Sequence, residues 1–275
     1  MSLQQSFITL SDGNVIPQLG LGVWQATQEQ AANAVSEAIK SGYRHVDTAS
    51  VYENEDGAGI GIQQSGIARE EVFVTTKVWN PEQGFDKATA ALDASLERLQ
   101  LSYVDLLLIH WPAPKMDLYV DTWKALIAAK KQGKVRSIGV SNFNQEHLVR
   151  LIDETGVKPA LNQIELHPYL QQNTLQQAHK KLGIETQAWS PLGQGKALSH
   201  PTIIAIAEKH GKSAAQVIIR WHLQQGRIVI PKSVTPSRIQ ENFDVFDFSL
   251  DLNDLEGIAF MDEGHRLGPD PLLFP

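Results

Sequence analysis

The sequence predicts a (β/α)8 barrel of the TIM type, formed as a single domain over residues 1–275. Three observations carry that expectation. Eight short β-branched runs alternate with amphipathic helical stretches, the pattern of a parallel sheet joined by crossover helices. Several runs are apolar almost throughout, Leu106-Leu107-Leu108-Ile109 most clearly, which means burial on both faces. The length of 275 residues suits one barrel of roughly 250 residues better than two domains.

A hairpin is expected first: Phe7 to Leu10 alternates, Asp12-Gly13-Asn14 is a turn signal, and Val15-Ile16 returns. Strands are then expected at Leu19–Leu21, His45–Asp47, Val72–Thr76, Val104–Ile109, Ser137–Val140, Leu161–Ile164, Glu185–Ala188 and Ile228–Ile230. Between them, helical periodicity covers Thr27–Ser41, Asp86–Leu99, Leu118–Lys131, Gln145–Glu154, Thr174–Leu182 and Ala214–Gln224. Gly42 is a C-cap residue for the first of these. The rival fold, an open doubly wound sheet, binds a dinucleotide through G-x-G-x-x-G directly after a strand. The near match Gly57-Ala58-Gly59-Ile60-Gly61-Ile62 lacks the last glycine and follows Glu53-Asn54-Glu55-Asp56, not a strand. It reads as the small-residue face of a helix packed closely on the barrel, weakened by about 1 kcal/mol per glycine relative to alanine. Residues Asp262–Pro275, rich in proline and glycine, are expected to lie over the surface without regular structure.

Composition bounds the function. With 42% apolar and 20% charged residues the chain has the makeup of a folded protein, not a disordered one. The net charge is −7 and the basic residues are dispersed, which argues against nucleic acid or an anionic membrane as partner. The absence of cysteine removes disulfides, thiolate catalysis and cysteine-ligated metals. Met1 to Phe7 shows neither a basic nor an apolar leader region, and no apolar run approaches the ~18 residues of a membrane span. A cytoplasmic location is expected, and a monomer, since no exposed apolar stripe stands out.

In a barrel of this kind reactive side chains stand at the C-terminal mouth, directly after each strand. Strand two ends His45-Val46-Asp47, with Tyr52 five residues on; strand three ends Thr75-Thr76-Lys77; strand four ends Ile109-His110-Trp111. Each alone has an ordinary reading: Asp47 a helix cap, Lys77 a cation reaching solvent, His110 a satisfied core histidine, Tyr52 a surface aromatic. Together they bring an anion, a cation, a phenol and an imidazole from three successive strand ends into one mouth, where they tune one another.

These segments resemble the aldo-keto reductases: Gly20-Leu21-Gly22-Val23-Trp24, Gly42 to Ala49, Tyr52-Glu53-Asn54-Glu55, Thr75-Thr76-Lys77-Val78-Trp79, Ile109-His110-Trp111-Pro112, Gly139-Val140-Ser141-Asn142-Phe143 and Ile230-Pro231-Lys232-Ser233. The likeness runs from about Ile8 to about Leu267, with the motifs in the family's order and spacing. Asn162 to Pro168 and Gly264 to Asp270 resemble the bacterial 2,5-diketo-D-gluconate reductase group in particular.

The resemblance implies that Asp47, Tyr52, Lys77 and His110 form a reductase tetrad. Carbonyl reduction puts negative charge on oxygen as hydride reaches carbon, so the oxygen needs a proton donor. Free tyrosine titrates near ~10, and Lys77 is expected to lower Tyr52 by favouring the phenolate. Asp47 would hold Lys77, and His110 would orient the substrate oxygen. The resemblance also implies NADPH. It places Gly22, Val23, Trp24 and Asp47 beside the cofactor, and the carboxamide on Ser141, Asn142 and Gln163. Trp189 would stack on the ring, and Ser190, Leu192 and Gln194 would follow the pyrophosphate. Lys232, Ser233, Val234, Thr235 and Arg238 would gather at the 2′-phosphate, with Glu241 and Asn242 at the adenine. Two cations there suit an extra phosphate; the plainer reading is a solvated helix start at Pro236-Ser237-Arg238.

The substrate pocket is expected to be lined by Trp24, Tyr52, Trp79, His110 and Trp111. Short segments after His110 and from Gly193 to His200 leave a shallow, wet mouth suited to small polar carbonyls such as methylglyoxal or 2,5-diketo-D-gluconate. A hydrolase is disfavoured because Gly139-Val140-Ser141-Asn142-Phe143 lacks the closing glycine of G-x-S-x-G and no H-E-x-x-H spacing exists, leaving no metal site in view. The remaining alternative is a non-catalytic nicotinamide-binding structural or sensor protein on the same fold.

Overall fold

The structure, a computed structural model, describes residues 5–275. The reading of Met1 to Phe7 as leaderless falls mostly on residues 1–4, outside the described residues. An antiparallel hairpin, β1 (Phe7–Thr9) and β2 (Val15–Pro17), comes first, with Ile8 opposite Ile16. There follow β3 (Leu21–Gly22), α1 (Gln28–Lys40), β4 (His45–Asp47), α2 (Glu55–Ser65), β5 (Phe73–Val78), α3 (Phe85–Leu99), β6 (Val104–Ile109) and α4 (Tyr119–Lys131). The second half holds β7 (Val135–Ser141), α5 (Gln145–Thr155), β8 (Leu161–Glu165), α6 (Asn173–Leu182), β9 (Glu185–Trp189), α7 (Pro201–His210), α8 (Ala214–Gln224), β10 (Ile228–Val229), α9 (Pro236–Phe243) and α10 (Leu252–Ala259).

Strands β3 to β10 pair in parallel, each with its sequence neighbour. The ring closes where Leu19 bridges Val229 and Gly22 bridges Lys232, through Gly20 N donating to Val229 O (2.9 Å) and Val229 N to Gln18 O (2.8 Å). The expected eight-strand barrel is what forms, with the third and fifth strands longer than their β-branched cores suggested: β5 runs on to Val78, and β7 begins at Val135. Four steps around the ring separate β4 from β8 in either direction, so these two strands face each other across the interior.

Two apolar layers account for strands that are hydrophobic on both faces. Leu107 and Ile109 turn outward to the helices, while Leu106 and Leu108 turn inward. The inward set at the N-terminal end packs with Leu10 and Ile16 of the hairpin, which plugs that end of the barrel. The functional residues are left to the opposite end.

The glycine-rich segment is helix α2, as its small residues suggest. Its close packing is against neighbouring helices, which corrects the expectation of a face laid on the barrel itself. A Cβ on Gly57 would stand 2.1 Å from Gln28 O, on Gly59 2.3 Å from Leu99 O, and on Gly61 2.6 Å from Ala32 O. Hydrogen at these positions lets α2 touch the backbones of α1 and the end of α3. Gly59→Ala is therefore expected to destabilise the fold by about 1–3 kcal/mol, the usual cost of overpacking, although alanine is the better helix former. Urea unfolding checks this; an unchanged or higher midpoint would show that the helices separate freely.

Candidate active site

Asp47 ends β4, Lys77 lies near the end of β5 and His110 follows β6, so the strand register itself brings them to one mouth. Tyr52 closes a 3-10 turn, Ser50–Tyr52, directly above β4. Lys77 Nζ, fully buried, donates to Asp47 Oδ1 (2.5 Å) and Thr48 O (2.8 Å). The same ammonium stands 5.0 Å from the centroid of the Tyr52 ring. His110 meets Tyr52 edge-on at 5.7 Å between ring centroids, and Trp79 meets His110 at 5.1 Å. The four residues thus form one cluster, with Asp47, Lys77 and His110 buried and Tyr52 half-buried.

Three positioning residues, Glu82, Ser50 and Asn54, were not read from sequence. Glu82 Oε2 accepts from Trp79 N (2.8 Å) and Ser50 Oγ (2.8 Å), and Ser50 Oγ also lies 3.1 Å from Lys77 O. This ties the Tyr52 turn to the end of β5. Glu82 sits three residues after Trp79, the spacing of a capping box, and that was the available signal. Asn54, buried, donates to Val23 O (2.8 Å) and Ala26 O (2.9 Å) and accepts from Thr48 Oγ1 (2.9 Å), which holds the loop carrying Trp24.

The electrostatics correct one expectation. Burial pushes the Tyr52 phenol above its ordinary value, and the Lys77 charge offsets this only in part, with Asp47 acting against it. The phenol was expected to be lowered by Lys77; instead it keeps its proton. Burial also works against the Lys77 ammonium, but Asp47 and Tyr52 outweigh it and hold lysine above its usual range. His110 is pushed well below ordinary histidine by burial and then by Lys77, so it is neutral at pH 7, a single N–H donor.

The amide-bearing residues converge at the same mouth. Gln163 Nε2 reaches across the barrel to Asp47 Oδ2 (2.7 Å) and also donates to Gln187 Oε1 (2.9 Å). Ser141 Oγ donates to Gln163 O (2.8 Å). Asn142, at φ +62°, donates through Nδ2 to His110 O (3.0 Å) and Ser141 Oγ (3.1 Å), while its Oδ1 accepts from Trp189 Nε1 (2.8 Å). Both amide nitrogens have spent their hydrogens, so what Gln163 and Asn142 offer a ligand is oxygen.

Further round the rim the chain loops outward. Ser190 and Gln194 are left-handed, with Leu192 half-buried between them. Lys232 stands beside Gly22 and is exposed, as are Thr235 and Arg238 at the start of α9. Lys232 and Arg238 make no ion pair with a described residue, unlike Lys77, Arg98 or Lys212. Ser233 is buried and Val234 half-buried; Glu241 is exposed, while Asn242 is buried against the barrel. Val23 is fully buried and can offer a ligand only backbone. Two free cations near a helix start, and amide oxygens at the mouth, are donors and acceptors that fit a dinucleotide phosphate bearing a carboxamide.

Of the expected pocket aromatics, Trp24 is 43% exposed, Trp79 half-buried and Trp111 buried. The tail explains the last of these: it lies on the surface without regular structure, as expected, but its end packs on the mouth. Phe274 packs on Trp111 (4.6 Å between centroids) and Trp79 (6.0 Å), and Asn80 Nδ2 bonds Pro275 O. Upstream, buried Glu165 accepts from Leu267 N (2.6 Å) and Gly268 N (3.0 Å) and contacts His167 Nε2 (2.9 Å). Those partners outweigh burial and hold its carboxyl below the usual range. A Cβ on Gly268 would stand 2.6 Å from the Trp189 ring.

This architecture defines a barrel oxidoreductase: a profile of the aldo/keto reductase family matches residues 18–263, and the chain belongs to that family. It is 58% identical over 267 residues to an aldo-keto reductase of Mycolicibacterium smegmatis, with 97% of each chain covered. The methylglyoxal reductase DkgA of Escherichia coli K12 is 53% identical over 266 residues, with 96% of each chain covered. A solved structure of a Gox0644 mutant in complex with NADPH superposes with a TM-score of 0.95 at 51% identity, covering 99% of both chains.

Burial depresses five histidines: His45 and His179 to about 4, His110 and His222 well below ordinary histidine, and His147 below it. Unfolded histidine binds a proton near pH 6.5, so below that pH the unfolded chain holds more protons than the folded one. Stability is thus complete above pH 6.5 and falls on acidification. His45 and His179 alone contribute a loss of roughly 2 kcal/mol each by pH 5, above the range where carboxylates titrate. Melting temperatures measured from pH 7 to 5 should fall steadily; a flat profile would mean that these imidazoles protonate inside the fold.

Proposed function

We propose that this protein reduces small aldehydes, ketones or keto-sugar acids to alcohols with NADPH, with Tyr52 as general acid assisted by Lys77, Asp47 and His110. The observation that carries the reading is the buried Lys77–Asp47 pair facing Tyr52 and His110 at the open end of the barrel. Relatives named as methylglyoxal reductases support methylglyoxal as the compound to try first, and the sequence resemblance adds 2,5-diketo-D-gluconate.

When bound, NADPH supplies the hydride that adds to the carbonyl carbon. Ser141, Asn142 and Gln163 would hold its carboxamide, and Trp189 would cover one ring face. Ser190, Leu192 and Gln194 would follow the pyrophosphate, and Lys232, Ser233, Thr235 and Arg238 the 2′-phosphate. As negative charge develops on the substrate oxygen, neutral His110 donates a hydrogen bond to it. Tyr52, still protonated, passes its proton to that oxygen and completes the alcohol. The phenolate left behind sits beside the Lys77 ammonium, whose charge Asp47 fixes in place, until a proton returns from solvent. Trp24, Trp79 and Trp111 frame the substrate.

Turnover of NADPH with methylglyoxal and with 2,5-diketo-D-gluconate tests the reading directly. Tyr52→Phe should lower kcat by at least ~10²-fold while leaving the NADPH Kd unchanged, since only the proton donor is lost. A variant keeping a tenth of wild-type kcat would remove Tyr52 from the general-acid role. An inactive wild type that still binds NADPH would favour the non-catalytic alternative.

Cofactor choice gives a second test. NADPH and NADH differ by one phosphate, and Arg238 and Lys232 are free to pair with it. Charge-assisted bonds of about 1.5–3 kcal/mol each give a preference on the order of 10²-fold for NADPH. Arg238→Ala should weaken NADPH far more than NADH, and high salt should narrow the gap. Equal Kd values for both cofactors in the wild type would make the cluster ordinary surface charge.

A further inference from the structure

Strand β9 places Gln187 and Trp189 two residues apart, on one face, and each bonds the side-chain amide of a residue at another strand end, Gln163 on adjacent β8 and Asn142 just past β7, two strands away. Trp189 Nε1 donates to Asn142 Oδ1 (2.8 Å), and Gln187 Oε1 accepts from Gln163 Nε2 (2.9 Å). Gln187 is directly opposite Gln163 in the parallel register and is fully buried. Its own Nε2 has no partner among the described residues. Burying an amide with a donor left unmatched costs stability, so this residue is not explained by packing.

We propose that Gln187 is a positioning residue for cofactor recognition: it fixes the plane of the Gln163 amide so that Oε1 alone faces the nicotinamide carboxamide. The argument is one of hydrogen counting. A primary amide has two N–H donors on one end and a carbonyl oxygen on the other. Asp47 is already committed as acceptor to Lys77, and its Oδ2 can only accept, so the Gln163 nitrogen must point to it. That contact alone leaves the amide free to swing about the line joining Nε2 to Oδ2. Gln187 Oε1 takes the second hydrogen and removes the freedom. The Gln163 oxygen is then held where it accepts from an NH2 group. A ligand carrying a ketone in place of the carboxamide has no hydrogen to give and is selected against. Preorganisation of this sort lowers the ordering cost of binding.

The inference rests on the cofactor reading above, and its test separates the two. The probes are NADPH and its reduced 3-acetylpyridine analogue, in which a methyl replaces the carboxamide NH2; the readout is the ratio of their Kd values. Wild type should prefer NADPH roughly tenfold, the effect of one or two hydrogen bonds. Gln187→Met keeps an unbranched chain of similar volume and should shrink the ratio to about twofold. Gln187→Asn, one methylene shorter, keeps an amide in the barrel but withdraws it from Gln163, and should do the same. Neither change should add anything in a Gln163→Met background, because Gln187 acts only through Gln163. If folded Gln187 variants keep the wild-type ratio while Gln163→Met abolishes it, the positioning role is overturned and the cofactor reading stands. The role is also overturned if the Gln187 effect persists in the Gln163→Met background. If wild type and Gln163→Met both bind the two probes alike, the carboxamide does not rest on Gln163, and both readings fall.

Discussion

An ammonium group with no exposed surface is tolerated only if something inside the protein replaces water, and in this barrel that is Asp47. Much of the mouth is arranged around the pair. Lys77 spends hydrogens on Asp47 and on the Thr48 carbonyl, Gln163 satisfies the other carboxylate oxygen, and the Tyr52 phenol and His110 take their protonation from burial first and from this pair second. Removing one partner of such a pair leaves a buried charge, at about 3–5 kcal/mol. Stability and the proposed chemistry therefore draw on the same contact.

The plugged lower end makes this arrangement possible. Leu10 and Ile16 fill the N-terminal opening with Leu106, Leu108 and Leu161, so the interior is apolar below and polar above. The change occurs within single strands: His45 and Thr75 lie one level below Asp47 and Lys77, and burial keeps His45 neutral beside the charges above it. The tail seals the other flank. By anchoring residues 267–268 to Glu165 and setting Phe274 on Trp111, it turns a rim open in sequence terms into a wall.

The fold was legible because its signals are local. Period-two and period-3.6 patterns marked the strands and most helices, and apolar runs ending in a charged or aromatic residue marked Asp47, Lys77 and His110. What stayed hidden depends on distance in the chain or on burial. Helices α7 and α10 passed unread, the first following a short irregular segment and the second a run of mixed character. Phe274 meets Trp111 across more than 160 residues, with no periodicity to announce it. Gln187 is a polar residue in a short strand, and nothing local says that it points inward. The Tyr52 shift went the other way because sequence shows the neighbouring lysine but not the depth of the pocket.

The bond from Gln163 to Asp47 joins opposite walls of a closed ring. It works as a spoke: the rim cannot widen along that diameter without breaking it. From Gln163 on one wall, hydrogen bonds run to the Asp47 carboxylate on the other and through it to the Lys77 ammonium. The proposed carboxamide seat and the cation beside the proposed acid thus stand at two ends of one hydrogen-bonded chain, carried over the width of the barrel by a single amide.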